Sequence, residues 1–386
     1  MKVIICEYHP WDTVFRIGNH HYARAFMDDG WKVLWMSHPV SPFHGMKAEN
    51  EKRMMRARMG AVLHEDGPTE VVPYTKLPFL NKPLLRSEWV LRNSHRYLRP
   101  SLKDLLSKNE FDNPDLVWLT DTVMHSVADE VKAGKLAVRI ADDNTEFKNT
   151  PGSLRVIEDE LCTKADVVFV TSYPLLEKLQ AKYGDRIHLL RNGVNYEHFQ
   201  GNFERPPEYD EIDGPIAVYV GAIEEWFDPE IVLGLAVESP DLTIILIGPV
   251  GIDQAVFAGK KNIKAIGPRP YEKIPSYLAH ADIGIIPFKR TPLVESVSPL
   301  KLFEFFAAGL PVVSTSWKEL ENLQSPAFLA GDRDEFAAHV INAVNGELKN
   351  QRGSEYYRSY AKENSWNARY RSAMDILGFP DAVESS

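Results

Sequence analysis

Ser298, Lys301 and Glu304 recur at three-residue spacing in SPLKLFEFFAAGLPVVST, the stretch from Ser298 to Thr315, along one side of an otherwise apolar run. Residues three apart share a helix face. Proline favours a first turn, so a helix is predicted to start at Ser298 or Pro299. The N–H groups exposed there make an anion site. A lysine in that turn opposes the helix dipole; this is poor design for stability alone and good design against a phosphate. Glu304, one turn on, can accept hydrogen bonds from both hydroxyls of a ribose, as acids do in dinucleotide sites. The set suits a nucleotide diphosphate, with Ser298, Pro299, Leu300 and Lys301 near the phosphates and Glu304 on the sugar. A solvated Lys–Glu pair on a surface helix would give the same spacing.

Other strand ends offer partners for that helix. In AVYVGAIEEWFD, Gly221 directly follows an apolar run, where a glycine lets a ligand approach the backbone. Trp226 lies in the same stretch and is grouped with it. Gly248 in ILIGPVG is placed likewise, and a tight turn would ask for either glycine equally. Arg269, in AIGPRPYEKIP, is placed to face a base or a phosphate, or is an exposed loop charge. In the N-terminal half, VRIADDNTEF sets Asp142 and Asp143 just past a strand, where paired acids could supply a general base. A cap or turn role suits the same cluster. The first loop carries Arg16, His20 and His21, expected on the acceptor side. Adjacent histidines point to different sides of a helix and make poor joint metal ligands.

These residues need strands to position them. Short apolar runs bounded by turn residues read as strands buried on both faces: VIIC (3–6), KVLWM (32–36), LVWL (116–119), LAVRI (136–140), DVVFV (166–170) and IHLL (187–190). Helical patterns lie between them, as in Asn19 to Asp29, which stops at Gly30. The polar stretch 201–214, GNFERPPEYDEIDG, reads as a linker. A second series follows: PIAVYV (215–220), LTIILI (242–247), NIKAI (262–266), DIGII (282–286) and PVVST (311–315). The tail from Ser354 to Leu377 is a long helical pattern. The expected fold class is α/β, with two Rossmann-like parallel-sheet domains facing across a cleft: 1–200, then 215–353, with 354–386 returning to the first. In open parallel sheets, ligands bind beyond the carboxyl ends of strands.

Bulk properties narrow the function. A chain of 386 residues exceeds what one core usually organises. Net charge is −10, which argues against a general nucleic-acid role. Cys6 and Cys162, the two cysteines, make no metal or redox pattern. No run approaches the length of a spanning helix. There is no GxGxxG after the first strand, no Walker A, no GxSxG and no HExxH. "DRD" at 332–334 precedes a helical pattern and reads as its cap. One segment is basic: from His44 to Lys103, twelve Lys/Arg stand against six Asp/Glu, with Phe79, Trp89 and Tyr97 among them. Such a patch could lie on an anionic membrane surface or be an exposed helical hairpin.

The chain resembles the GT-B-fold glycosyltransferases, over nearly all its length. SPLKLFEFFAAGLPVVST is similar to the donor-binding stretch of bacterial polysaccharide-assembly members, and YVGAIEEWFD, LIGP and YLAHADIGIIPF look like its companions in the expected order. RNGVNYEHF (191–199) resembles the family's NGVD…F element, with Asn195 where an Asp is usual. ADDNTEF is similar to the segment that holds an aspartate base in the xanthan-type glucuronosyltransferase. The resemblance implies that Lys301 meets the diphosphate, Glu304 the ribose, Gly221 the close approach and Arg269 the base, with Asp143 as catalytic base and Asp142 second. Retaining members often have a glutamate eight residues before the ribose glutamate. Here Ser296 stands there, with Glu295 beside it, which favours inversion. The expected activity is transfer of a sugar from a UDP-sugar to a glycan or polyprenyl-linked acceptor. No metal or other cofactor is expected, and the expected location is cytoplasmic, with a peripheral place on the inner membrane face as an option. A sugar-nucleotide epimerase of the same fold, or a non-catalytic sugar-nucleotide-binding subunit, are the alternatives.

Overall fold

The structure is a computed structural model that describes residues 1–13, 16–45, 48–142, 150–346 and 353–379. It divides into two units, the first made of Met1–Arg191 with Tyr370–Ser386, the second of Asn192–Arg369.

The first unit is built on β1 (Lys2–Glu7), β2 (Lys32–Ser37), β3 (Ala61–Leu63), β4 (Thr69–Val71), β5 (Leu116–Leu119), β6 (Lys135–Ile140), β7 (Val167–Val170) and β8 (Ile187–Leu189). They form one sheet in the order β3-β4-β2-β1-β5-β6-β7-β8, parallel except for β3 on β4. Val3, Ile4, Ile5 and Cys6 are fully buried, as expected of a central strand covered on both faces. The first helix, Gly18–Asp28, buries Tyr22 and Phe26 and ends before Gly30, whose φ of +77° only glycine adopts without strain. Because β2 and β5 lie on opposite sides of β1, the strand order reverses there.

The second unit has β9 (Ile216–Val220), β10 (Thr243–Ile247), β11 (Ile263–Ala265), β12 (Ile283–Ile286), β13 (Val312–Thr315) and β14 (Phe328–Ala330), all parallel, in the order β11-β10-β9-β12-β13-β14. Its reversal falls between β9 and β12. The expected strands are all present. The three-residue β3, β4 and β14 carry no run of apolar residues long enough to have been read as strands.

Two boundaries differ from expectation. The stretch 201–214 is part of the second unit and not a linker: Tyr209 and Ile212 are buried in its core, and Arg205 donates to the carbonyls of Tyr209 and Ile212. The tail is two helices, Ser354–Glu363 and Trp366–Leu377. They break at Asn364–Trp366, where the Val194 N–H donates to the Asn364 carbonyl and the Trp366 N–H to the Val194 carbonyl. The first belongs to the second unit, and the unit boundary lies within the second helix, between Arg369 and Tyr370.

Candidate active site

The helix Leu300–Ala307 is held on two sides by aromatic packing. Phe305 lies against the bare backbone of Gly284 on β12, where an added Cβ would stand 2.7 Å from its ring. Phe303 and Phe306 stack on Tyr360 and Tyr357 of the Ser354–Glu363 helix. With Leu302, Phe303, Phe305 and Phe306 buried, only the Lys301–Glu304 side is left part-open at the strand ends. The expected stripe is therefore real.

Lys301 lies over Gly221, the residue after β9. A Cβ at Gly221 would meet the lysine Cε at 2.0 Å and Nζ at 2.7 Å, and φ there is +145°. The ammonium faces the rings of Tyr219 at 5.7 Å and Phe288 at 5.4 Å, within cation–π range. Among the described residues neither the Lys301 ammonium nor the Glu304 carboxyl makes a hydrogen bond or an ion pair. Burial lowers the Lys301 ammonium from its usual range, with Glu304 opposing, and raises the Glu304 carboxyl to about 7, with Lys301 opposing. A desolvated cation and carboxyl without direct partners are costly to keep. A ligand that brings an anion and two hydroxyls removes that cost.

The helix starts at Leu300, just past the expected Ser298 or Pro299, with Pro299 as its N-cap and no side chain capping it. The buried Ser298 instead accepts at Oγ from the Asn192 N–H (3.3 Å), while its carbonyl accepts from the Asn192 amide (3.2 Å). Ser298 thus anchors the turn, and the first-turn N–H groups at Leu300 and Lys301 are left for an anion.

The other donor-side expectations divide. Gly248, at φ +150°, faces the Gly221 carbonyl: a Cβ there would sit 2.0 Å from that oxygen. Its glycine is needed for loop-on-loop contact, so direct ligand approach is not what requires it. Trp226 is part-buried, and the Tyr219 phenol that the lysine faces donates to the Ala222 carbonyl at 2.7 Å. Arg269 is already engaged. Its guanidinium pairs with Glu208 at 2.7 Å and donates to the Tyr277 hydroxyl (3.0 Å) and the carbonyls of Ile266 (2.6 Å) and Pro268 (3.1 Å). It ties a loop in place, so the expected base contact is not what this geometry provides. Glu295 is also engaged, accepting from the Lys318 N–H at 2.7 Å. Tyr271, stacked on His198 at 4.2 Å, was missed by the sequence; its phenol is raised by burial and then by the charge of Glu304.

In the first unit, Asp143 lies outside the described residues. Asp142 is exposed and borders a cavity of about 330 Å³ with Arg155, Glu158, Asp159, Lys178 and Lys182. His20 is buried between Trp11 (ring centroids 5.1 Å) and Trp35 (4.7 Å), with Nε2 against the Trp11 carbonyl at 3.0 Å. Burial, then Arg16, pushes it down to about 4, so it is a neutral packing residue and not an open acceptor contact. Arg16 is exposed, donates to the same carbonyl at 3.2 Å and lies 5.6 Å from the Trp11 ring. His21 is part-buried on its helix.

The strand ends of this unit hold a cluster no motif announced. Glu7, at the end of β1, is buried and accepts from the Asn19 amide (2.6 Å) and from the N–H groups of Tyr8 (2.7 Å) and His9 (3.3 Å). Burial raises its carboxyl to about 7 against those bonds. Beside it, His38 and Asp121 meet at 2.6 Å. No spacing links residues 83 positions apart, so only folding reveals them. Among the described residues no group of three His, Cys, Asp or Glu is placed to hold a metal ion.

Residues 215–345 match the family model described as glycosyl transferases group 1. Over 237 residues the chain is 29% identical to the putative teichuronic acid biosynthesis glycosyltransferase TuaH of Bacillus subtilis, a match covering 58% of this chain and 58% of that protein. Two solved structures share the fold across their length. Sucrose-phosphate synthase of Thermosynechococcus elongatus has a TM-score of 0.71 at 14% identity, covering 97% of this chain and 98% of that one. Anabaena HepE, solved in complex with UDP, has a TM-score of 0.65 at 14% identity, covering 98% and 100%.

Proposed function

We propose, for a chain whose second unit carries a group 1 glycosyltransferase domain and whose fold is that of the GT-B glycosyltransferases, that it transfers a sugar from a UDP-sugar to a glycan or lipid-linked glycan acceptor in polysaccharide assembly. The observation that carries this is the part-buried Lys301–Glu304 pair beside Gly221, which lacks any direct partner. The UDP-containing structure of HepE and the name of TuaH support the choice of nucleotide and of polymer.

In this reading the diphosphate lies over Gly221, against Lys301 and the N–H groups at the start of the 300–307 helix. Glu304, ionised, accepts from the ribose hydroxyls. As the C1–O bond to the diphosphate breaks, the charge gathering on the leaving phosphate is met by Lys301 and those N–H groups. We assign that task to the protein's own groups, with no metal in the mechanism. The test is calorimetric titration with UDP, GDP, ADP and dTDP. The expected result is selective binding of UDP, weakened by Lys301→Ala and by Glu304→Ala. Binding that neither substitution disturbs would sink the reading.

The loop 80–87 supports an acceptor at a membrane surface. It is closed by its own backbone bonds, Leu80 with Leu85, Lys82 with Arg86 and Leu84 with Ser87, and holds Leu84 at φ +68°. A non-glycine residue there is strained, yet Leu84 is 87% exposed, near Trp89 at 61% and the exposed Lys82 and Arg86. Lys82 reaches the carbonyl of Phe43, itself exposed. Apolar tips among cations suit an anionic bilayer. No helix among the described residues is long and apolar enough to cross one.

A further inference from the structure

Arg53 breaks a rule that buried charges keep. It lies on the helix Ala48–Met59 of the first unit and is 5% exposed. Buried charges are paired or bind metals. Among the described residues Arg53 makes no ion pair, and its sole hydrogen bond runs from Nη2 to the His38 carbonyl at 2.6 Å. Its Nε is buried and has no partner there. Nearby carboxylates do not answer it. Glu49, one turn earlier, stands at the spacing of an intrahelical pair, yet it is exposed and forms no ion pair among the described residues. Asp121 is taken by His38. Glu70 is taken by Arg56, the next arginine on the same helix, at 3.0 Å.

A second unanswered donor lies near it. Arg53 holds the His38 carbonyl, and the His44 ring is 6.2 Å from the His38 ring. His44 Nδ1 lies 3.0 Å from the Ser41 nitrogen and 3.2 Å from the Ser41 carbonyl. The shorter contact makes Nδ1 an acceptor and leaves the ring proton on Nε2. That Nε2 is buried, with no partner among the described residues. Burial first, and the charge of Arg53 with it, holds both His9 and His44 below the usual histidine range. The corner borders solvent: Tyr8, against the His38 ring at 4.8 Å, is 53% exposed, and Phe43 is 58% exposed. A structural role explains little of this. Holding the His38 carbonyl needs one neutral donor, which would not carry the desolvation cost of a guanidinium.

We propose that Arg53 and His44 form a phosphate site in the first unit, and that the phosphate belongs to the acceptor. A guanidinium presents parallel N–H groups that match phosphate oxygens, and His44 Nε2 adds a further donor. That the ligand is an acceptor rests on the transfer reading above; the phosphate site itself does not. The turn that carries His44 is tied to the loop 80–87, because Lys82 donates to the Phe43 carbonyl at 3.5 Å. A phosphate on a lipid carrier and a phosphate on a soluble sugar present the same group, and the experiment separates them.

The test is calorimetric titration with inorganic phosphate, glucose 1-phosphate, farnesyl phosphate and glucuronate. It uses the full chain and its Arg53→Gln, Arg53→Lys, His44→Leu and Lys301→Ala variants, with thermal unfolding followed in parallel. Wild type and Lys301→Ala are expected to bind the phosphate probes alike, because the donor residues take no part. Arg53→Gln should raise the Kd about tenfold or more. Its unfolding temperature without ligand should be no lower than that of wild type, since an unpaired buried charge is removed. His44→Leu should weaken binding as well, and Arg53→Lys, which keeps the charge and loses the fork, should fall between wild type and Arg53→Gln. Tighter binding of farnesyl phosphate than of glucose 1-phosphate assigns the site to a lipid carrier, and the reverse order to a sugar phosphate. Failure of the wild type to bind any phosphate probe overturns the inference. So does equal binding by Arg53→Gln, a preference for glucuronate, or loss of binding in Lys301→Ala. Where Arg53→Gln unfolds too early to titrate, Arg53→Lys and His44→Leu decide by the same criterion. If the phosphate probes bind as expected and the wild type releases no UDP from UDP-glucose or UDP-glucuronate with any of them as acceptor, the transfer reading fails and the phosphate site stands.

Discussion

Gly221→Ala and Gly248→Ala form a pair whose outcomes should part. At Gly221 the new Cβ meets Lys301 at Cε and Nζ, the mobile end of a long side chain. The lysine can swing away, so the stability cost is that of a side chain at φ +145°, about 1–3 kcal/mol. For a domain of this size that is roughly 2–4 °C in Tm for each kcal/mol. Swinging away, however, removes the ammonium from the diphosphate. Hydrogen bonds to charged groups contribute about 1.5–3 kcal/mol, so the Kd for UDP should rise about 10- to 150-fold. At Gly248 the Cβ meets the carbonyl oxygen of Gly221 at 2.0 Å, and backbone cannot step aside. That variant should lose more stability than Gly221→Ala, and the 221–223 loop should move with it. Calorimetry with UDP and thermal unfolding on both proteins decide the matter. A Gly221→Ala protein that binds UDP like wild type would refute the placement of the diphosphate over Gly221. Equal unfolding losses in the two would refute the distinction between a side-chain and a backbone neighbour.

UDP affinity should pass through a maximum with pH. On the acid side it climbs as Glu304 ionises near its raised value of about 7, and on the alkaline side it falls as Lys301, lowered by burial, loses its proton; Glu304→Gln should abolish the acid limb. Without ligand, the sign for stability is the reverse: a carboxyl raised from 4.5 to about 7 in the folded state makes the folded protein less stable as pH rises between those values, and Glu304→Gln should flatten that slope in chemical denaturation. Arg269→Ala should leave the UDP Kd nearly unchanged while costing about 1 kcal/mol, because its ion pair, which solvent still reaches, contributes little and its bonds to the Ile266 and Pro268 carbonyls contribute most. Sedimentation with phosphatidylglycerol vesicles should fall for Leu84→Ser with Trp89→Ser and for Lys82→Glu with Arg86→Glu, and phosphatidylcholine vesicles should bind little at any stage. Equal binding by all variants would remove the loop from the membrane reading.

The sheets were legible because buried parallel strands are written as unbroken apolar runs. β5 was read to the residue, and most others to within one or two. The donor helix was legible for a related reason: its polar stripe interrupts a run that is otherwise core. What the sequence did not show are relations between distant residues. Arg269 looks like a loop cation until Glu208 and Tyr277 are folded beside it. Gly221 and Gly248 look equivalent until one is seen to face a lysine and the other a carbonyl. His20 looks like a polar group in a loop until two tryptophans close on it. His38 and Asp121 lie in unremarkable stretches, and nothing local marks them as partners. Short strands such as β14, with one of three residues fully buried, carry too few apolar side chains to leave a pattern.

The desolvated lysine and glutamate also bear on how long the protein lasts. Whatever satisfies them adds RT ln(1 + [L]/Kd) to the folded state, about 2.7 kcal/mol at a hundredfold excess over Kd. Where opening is fast relative to cleavage, proteolysis follows the population of the open form, so that increment corresponds to roughly a hundredfold slower degradation of the occupied chain. If the nucleotide sugar is that ligand, the supply of precursor sets the lifetime of the enzyme that uses it. Starved of donor, the cell would clear this chain without any dedicated signal.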